Sequence, residues 1–254
     1  MIKSIFFISL FINLFLVIII NKKKIKKFIN KKIIKTVNIE KINPIFKPRI
    51  ISDNTKFPSK EHVTKMVLVH DEEYNVKGLI SDYETWILGI MSKISLNIFE
   101  FGTCSGKTTT LMALNSPDDA KIVTLTLSSD QAQSLNLSGN DNKVSIRNII
   151  NESNYEKFIF SGKEYEKKIS VIFMDSRKLN VDEYLNSFDL IFIDGGHTYS
   201  IIENDSNKAF KMVKNGGIIL WHDFVPGKTS DRDVVKYLNK VSKSRKIFHI
   251  ENTS

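Results

Sequence analysis

Five short apolar runs constrain the fold of this chain more than any other feature: "NIFEF" (97–101), "KIVTLTL" (121–127), "ISVIFMD" (169–175), "FDLIFID" (188–194) and "GIILWHD" (217–223). Runs of this kind, alternating with helical patterns, imply buried strands of a parallel sheet covered by helices on both faces. The helical segments carry their own signals. "SDYETWILGIMSKI" (81–94) opens with Ser81 and Glu84 in a capping-box pattern and continues with Trp86, Ile87, Ile90 and Met91 at helical spacing. Further helices are expected over 106–115, over 199–214 and from about Asp231, followed by a last strand "KIFHI" (246–250). In the 199–214 segment Ile202, Ala209, Phe210 and Val213 share one face, and Gly216 with Gly217 is expected to end the helix. Residues 130–168 show little pattern. The expected class is α/β, a doubly wound, mostly parallel sheet flanked by helices, spanning residues 62–254.

The start of the chain is different in kind. "SIFFISLFINLFLVIII" (4–20) is apolar except for Ser4, Ser9 and Asn13. As a helix it reaches about 25 Å at about 1.5 Å per residue, slightly short of a hydrocarbon core of about 30 Å, and flanking lysines can snorkel to cover the difference. One lysine precedes this run and eight follow it by residue 35, with no small-x-small cleavage site behind it. An uncleaved transmembrane anchor over 1–21 is therefore expected, with the following domain in the cytoplasm and the lysines on anionic lipid. Residues 22–61, which contain Pro44, Pro48 and Pro58, read as a basic juxtamembrane segment and linker.

The same lysines explain the net charge of +9, because without them the rest of the chain holds 28 basic against 28 acidic residues. A general nucleic-acid surface loses its support. The single Cys excludes an internal disulfide framework. Cys104 has no paired His in its loop and reads as a small turn residue, while His62, His70 and His249 show no partner pattern.

"FEFGTCSGKTTT" (99–110) follows the first strand and contains Gly-Lys-Thr. A triphosphate loop needs four residues between its first Gly and the Gly-Lys-Ser/Thr, so that successive backbone N–H groups wrap a phosphate. Gly102 and Gly106 enclose only three, and Phe101 stands where the correctly spaced Gly belongs. The dinucleotide fingerprint fails as well, since Thr103 and Cys104 follow Gly102.

In a doubly wound sheet, ligands sit outside the carboxyl ends of the strands. Those ends read Glu100 to Gly106, Thr126, Asp175 with Ser176, Asp194 to His197, and His222 with Asp223, a dense set of acids and imidazoles. Turn formation and capping are the plain alternative for each strand-end Asp.

Together, "FEFGTCSGKTTTLMAL", "FMDS", "FDLIFIDGGHTY" and "GGIILWHDF" resemble the class I S-adenosylmethionine-dependent methyltransferases, with the branch of macrolide-sugar O-methyltransferases most similar. The resemblance covers roughly residues 80–253 and implies a Rossmann-like fold. It implies that Glu100 approaches the methionine part of S-adenosylmethionine, that the turn through Gly102, Thr103, Ser105 and Gly106 brings backbone close to it, and that Asp175 and Ser176 lie near the adenine. A carboxylate suits a ligand carrying an ammonium and a sulfonium. Two departures stand out. Thr126 occupies the second-strand position where relatives hold the ribose with an acid, so either Asp130 substitutes from the loop or cofactor binding is weaker. The chain also has little room for the usual antiparallel seventh strand.

Methyl transfer to a hydroxyl needs that oxygen's proton to leave. By resemblance, Asp194 and Asp223 bind Mg²⁺ and His197 is the base, an unperturbed imidazole titrating near about 6.5. His222 stands where relatives have another acid, as a third candidate ligand or as a local hydrogen-bonding residue. The expected function is O-methylation of a sugar or other polar hydroxyl acceptor at the membrane, for which a lipid-linked glycan is one form. The rival readings are an inactive membrane-anchored scaffold and a nucleotide-binding enzyme.

Overall fold

A computed structural model describes residues 35–37, 80–135, 141, 143–155 and 157–254. The expected anchor over 1–21 and the linker, apart from 35–37, lie outside these residues, as do His62 and His70. Among the described residues no helix is long and apolar enough to cross a membrane.

The described elements are β1 (Lys35–Val37), α1 (Asp82–Lys93), β2 (Asn97–Phe101), α2 (Lys107–Asn115), β3 (Lys121–Thr126), α3 (Ser129–Gln133), α4 (Lys143–Glu152) and β4 (Ile169–Phe173). Then come β5 (Phe188–Ile193), α5 (Tyr199–Met212), β6 (Val213–Trp221), α6 (Arg232–Val241) and β7 (Phe248–Ile250). The main sheet has five strands in the order β4-β3-β2-β5-β6, every pairing parallel. The Rossmann-like α/β expectation is met. The direction of winding reverses between β2 and β5, which opens a crevice at their carboxyl ends.

Side-chain alternation along β2 divides the core. Ile98 packs with Leu88, Met91 and Leu111 on the α1/α2 face. Phe99 and Phe101 point to the α5/α6 face with Ile202, Ala209 and Leu238. Phe99 is fully buried and meets Phe188 edge-on at 5.2 Å between ring centroids. Its removal to Ala would cost about 3–5 kcal/mol through lost burial and the cavity left behind. The capping box at Ser81 is formed, with the Ser81 N–H donating to Glu84 Oε2 at 2.7 Å and the Glu84 N–H to Ser81 Oγ at 3.3 Å. Ile87, Ile90 and Met91 are buried as expected, whereas Trp86 is 42% exposed and stacks on Tyr83.

Three expectations change. The segment without clear pattern contains α3 and α4. Helix α5 ends at Met212, and Gly216 and Gly217 lie inside β6 instead of terminating the helix. A Cβ on Gly217 would sit 2.9 Å from the Phe188 carbonyl oxygen, so this glycine lets β6 approach β5 where their register shifts. The last strand does not join the main sheet: β7 pairs in parallel with β1, Thr36 opposite His249.

Candidate active site

At the crevice the chain leaves β2 through Gly102, whose φ of +100° belongs to the left-handed region that glycine alone enters freely. A Cβ there would lie 2.2 Å from the Asp194 carbonyl oxygen. The two loops are also joined by the Asp194 N–H, which donates to the Phe101 carbonyl at 2.9 Å, while the Gly102 N–H ties its loop to β3 by donating to the Leu125 carbonyl at 2.9 Å. The close approach fixes a cleft of about 570 Å³, counting space open to solvent. Its walls include Gly102, Thr126, Asp175, Ser176 and Asp194, all singled out in the sequence.

Glu100, Thr103, Ser105 and Gly106 are not among the lining residues. Glu100 was expected beside the methionine part of the cofactor; here its side chain lies beneath the loop. Its carboxylate is 0% exposed and accepts hydrogen bonds from Thr108 at 2.6 Å, from Thr124 at 2.6 Å and from Thr109. Thr103 shares a hydrogen bond with Thr124 at 2.6 Å, and Gly106, with φ +80°, leads into α2. These residues form the underside of the loop. Burial raises the Glu100 pKa to about 7 against the opposing pull of the three hydroxyls. Cys104 does line the cleft, in a left-handed turn with φ +46°; burial and the nearby Glu152 push its thiol up to about 12, so it is not a nucleophile at neutral pH.

Asp175 combines two roles. It caps the short turn that follows β4 through the Arg177 N–H at 2.9 Å and binds the Arg177 guanidinium at 2.7 Å, while also lining the cleft. Burial pushes its pKa up, but the Arg177 hydrogen bonds prevail and keep it below the ordinary carboxylate value. Asp205 on α5 is a lining residue that sequence reasoning missed. It is 2% exposed, accepts from Asn204 Nδ2 at 2.8 Å, and is raised to about 6 by burial. The signal existed, because Asp205 falls between Ile202 and Ala209 on the buried stripe of the helix.

Beside the cleft, the ends of β5 and β6 bring together Asp194, His197, His222 and Asp223. His197 Nε2 lies 2.9 Å from Asp223 Oδ2, and His222 Nδ1 lies 3.0 Å from the same oxygen and 3.1 Å from Asp194 Oδ1. Asp223 reaches both imidazoles from a left-handed backbone, φ +64°, at a conformational cost of about 1–2 kcal/mol for a non-glycine residue. Two further carboxylates escaped the sequence reading of the site. Asp231, 0% exposed, has Oδ1 3.6 Å from His197 Nδ1, and Glu84 Oε2 is 3.6 Å from His222 Nε2. Glu84 was legible only as a capping residue, and Asp231 only as the start of a helix.

This excess of carboxylates sets the protonation. Burial favours neutral imidazole, but the hydrogen bond that His197 donates to Asp223 and the nearby Asp231 carboxylate raise it to about 10. Burial is likewise overcome at His222, where Asp194, Asp223 and Glu84 hold the ring well above its ordinary value. Asp223, which burial alone would raise, is held far below the carboxylate range by the two rings, while burial raises Asp194. His197 thus stands as an imidazolium tied to carboxylates, above the value of an unperturbed ring. The donor atoms of Asp194, His197 and Asp223 lie within 4.8 Å of one another, a set that fits a divalent cation. The geometry gathers His197 with the two aspartates where the sequence reading had His222. The His222 ring instead bridges the carboxylates and meets Ser254 Oγ at 3.0 Å through its other nitrogen.

Residues 99–224 match a family model described as a methyltransferase domain. A stretch of 61 residues is 36% identical to an uncharacterized protein of Acanthamoeba polyphaga mimivirus, covering 24% of this chain and 27% of that protein. The chain thus matches about a quarter of that curated relative's length. Among solved structures, it is similar to an O-methyltransferase from Bacillus cereus in complex with S-adenosylhomocysteine, at 18% identity and a TM-score of 0.46, over 68% of this chain and 76% of that one. It is also similar to TomG from Streptomyces achromogenes, an O-methyltransferase of tomaymycin synthesis in complex with S-adenosylmethionine, at 15% identity and a TM-score of 0.44, over 69% and 75% of the two chains.

Proposed function

We propose that the chain is a class I S-adenosylmethionine-dependent methyltransferase, in line with the methyltransferase domain matched by residues 99–224, and that it transfers a methyl group from S-adenosylmethionine to a hydroxyl oxygen of a small-molecule acceptor. The observation that carries the reading is the cleft at Gly102. Backbone is exposed there because no Cβ fits, and the carboxylates of Asp175, Asp194 and Asp205 line it. That wall suits a cationic ligand and opposes the polyanionic tail of a nucleotide triphosphate.

Bound in the cleft, the cofactor supplies a sulfonium methyl group, whose carbon–sulfur bond breaks with its electron pair left on sulfur as the new oxygen–carbon bond forms. The chain's own contribution is to hold the acceptor oxygen in line and to take its proton. Asp223 lies between His222 and His197, holding both rings through one carboxylate oxygen. His197 serves as the base when positive charge on Asp194 and Asp223 offsets the carboxylates that otherwise keep it protonated. Asp194 and Asp223 would hold a divalent cation such as Mg²⁺, which would supply that charge and leave the His197 ring to take the proton.

The setting we propose is a membrane surface. Only residues 21–34 separate the apolar run 4–20 from Lys35, and β1 pairs with β7, so an anchored chain would hold this domain close to the bilayer. A sugar acceptor, including a lipid-linked glycan, is one form of the hydroxyl substrate.

Equilibrium titration of the full chain with S-adenosylmethionine, S-adenosylhomocysteine and ATP tests the reading. The two sulfur ligands should bind and ATP should not. Binding of ATP alone would favour the nucleotide enzyme. Binding of none would favour the scaffold, the reading that Thr126 in place of the relatives' acid left open.

A further inference from the structure

The last helix and the strand after it carry a charge pattern that the active site does not use. From Val234 to Ile250 the sequence holds Lys236, Lys240, Lys243, Arg245 and Lys246 and no acid. All five cations are exposed, and Lys236, Lys240 and Lys243 recur at i, i+4 and i+7, on one face of α6 and the turn that follows it. The five differ in their partners. Lys240 pairs with Glu203 at 2.9 Å, and Lys236 lies over the Tyr199 ring at 4.8 Å. Past the helix, Arg245 lies over Phe210 at 4.0 Å and Lys246 over Phe248 at 4.8 Å, and among the described residues Lys243, Arg245 and Lys246 make no ion pair. Phe248 is 47% exposed, a large aromatic left in solvent beside these charges. Exposed Lys211, next to Phe210, adds a further cation, and exposed Glu251, just past β7, is the acid nearest in the chain.

The β1–β7 ladder relates this surface to the start of the chain. Phe248 stands in register with Lys35, and the two strands run the same way, so β1 begins at the end of the ladder where Lys246 and Ile247 lead into β7. In sequence, residues 22–34 precede β1 with seven lysines and no acid, and the apolar run 4–20 precedes them.

We propose that Lys243, Arg245, Lys246 and Phe248 form a docking surface for an anionic lipid bilayer, which holds the folded domain against the membrane. The inference rests on the membrane setting proposed above and adds to it a contact made by the domain itself. Clustered cations near a bilayer are drawn to anionic headgroups, and an exposed aromatic ring suits the interface beside them. Long Lys and Arg stems let the charges stay at the phosphates while the Phe248 ring enters further. Nucleic acid would meet the same charges, but the lysine-rich sequence joining an apolar run to β1 favours the bilayer.

The test uses the full chain carrying Phe248→Trp, with vesicles of partly brominated phosphatidylcholine that contain either no phosphatidylserine or about 30% of it. Flotation reads membrane association. Bromine quenching of tryptophan emission, in excess of that in the unsubstituted chain, reads contact at position 248. Phosphatidylserine should raise this excess quenching by about twofold or more, and about 0.5 M salt should reverse the gain. Lys243→Glu, Arg245→Glu and Lys246→Glu combined should remove it too, with an unchanged unfolding midpoint reporting that the variant is folded. The salt titration decides the matter even where that variant does not fold. Quenching indifferent to both phosphatidylserine and salt, in a chain that floats, overturns the docking surface and leaves the anchored setting intact. A chain that floats with neither vesicle overturns the setting and the docking surface together. Tighter binding to transfer RNA than to the phosphatidylserine vesicles, lost in the combined variant, overturns the proposal in favour of a nucleic-acid surface.

Discussion

Thr124 donates its hydroxyl hydrogen to Glu100 Oε2 at 2.6 Å, fixing a carboxylate with no solvent exposure at the centre of the sheet. The ordinary Glu value is 4.5 and the folded value about 7, so between these the unfolded chain has released its proton while the folded chain retains it. Stability must then fall as pH rises from about 4.5 to about 7 and level off above, by on the order of 3 kcal/mol from this group. Denaturant unfolding across that range should show the fall, and Glu100→Gln should flatten it. A variant with the same pH slope as wild type would locate the titration elsewhere.

Gly102 and Gly227 separate backbone strain from steric contact. Both have positive φ, +100° and +103°, but a Cβ on Gly227 meets nothing within 4 Å whereas one on Gly102 meets the Asp194 carbonyl oxygen at 2.2 Å. Gly227→Ala should cost about 1–2 kcal/mol and leave S-adenosylhomocysteine binding unchanged. Gly102→Ala should cost roughly 3 kcal/mol or more and abolish that binding, because the loop can no longer approach the Asp194 turn. Calorimetric unfolding and ligand titration check both.

Thr126 lines the cleft at the end of β3. Thr126→Asp places an acceptor where two ribose hydroxyls can donate, and should tighten S-adenosylhomocysteine by about tenfold, equivalent to about 1.4 kcal/mol. Weaker binding would place the ribose away from this strand end.

The catalytic cluster separates by variant. Asp223→Ala should lower turnover and remove any dependence on a divalent cation while leaving cofactor affinity near wild type, since Asp223 is not among the residues lining the cleft. Asp194→Ala should lower turnover and weaken the cofactor as well, because Asp194 lines the cleft and belongs to the donor set. His197→Ala should lower turnover by about 10² to 10⁴ with cofactor binding retained. Steady-state rates with and without a chelator, beside ligand titrations, distinguish these outcomes. A chelator-insensitive wild type would remove the cation and leave the imidazole–carboxylate pair.

By itself the sequence determined the layered α/β architecture, because five apolar runs too short to be anything but strands leave few ways to bury both faces of a sheet. It also located the strand ends where Gly102, Thr126, Asp175, Asp194 and His222 stand, since parallel winding puts those ends on one edge. Side-chain direction was decided only by the tertiary structure. Glu100 ends its strand like the others, yet its carboxylate turns under the loop because Thr108, Thr109 and Thr124, from two other elements, offer it hydrogen bonds there. The ionisation of His197 and His222 was equally out of reach, for it depends on Glu84 and Asp231, which are distant in the chain and are brought to the rings only by packing. Linear spacing fixes which residues share an edge. The charge each carries follows from burial and from partners that the folded chain alone assembles.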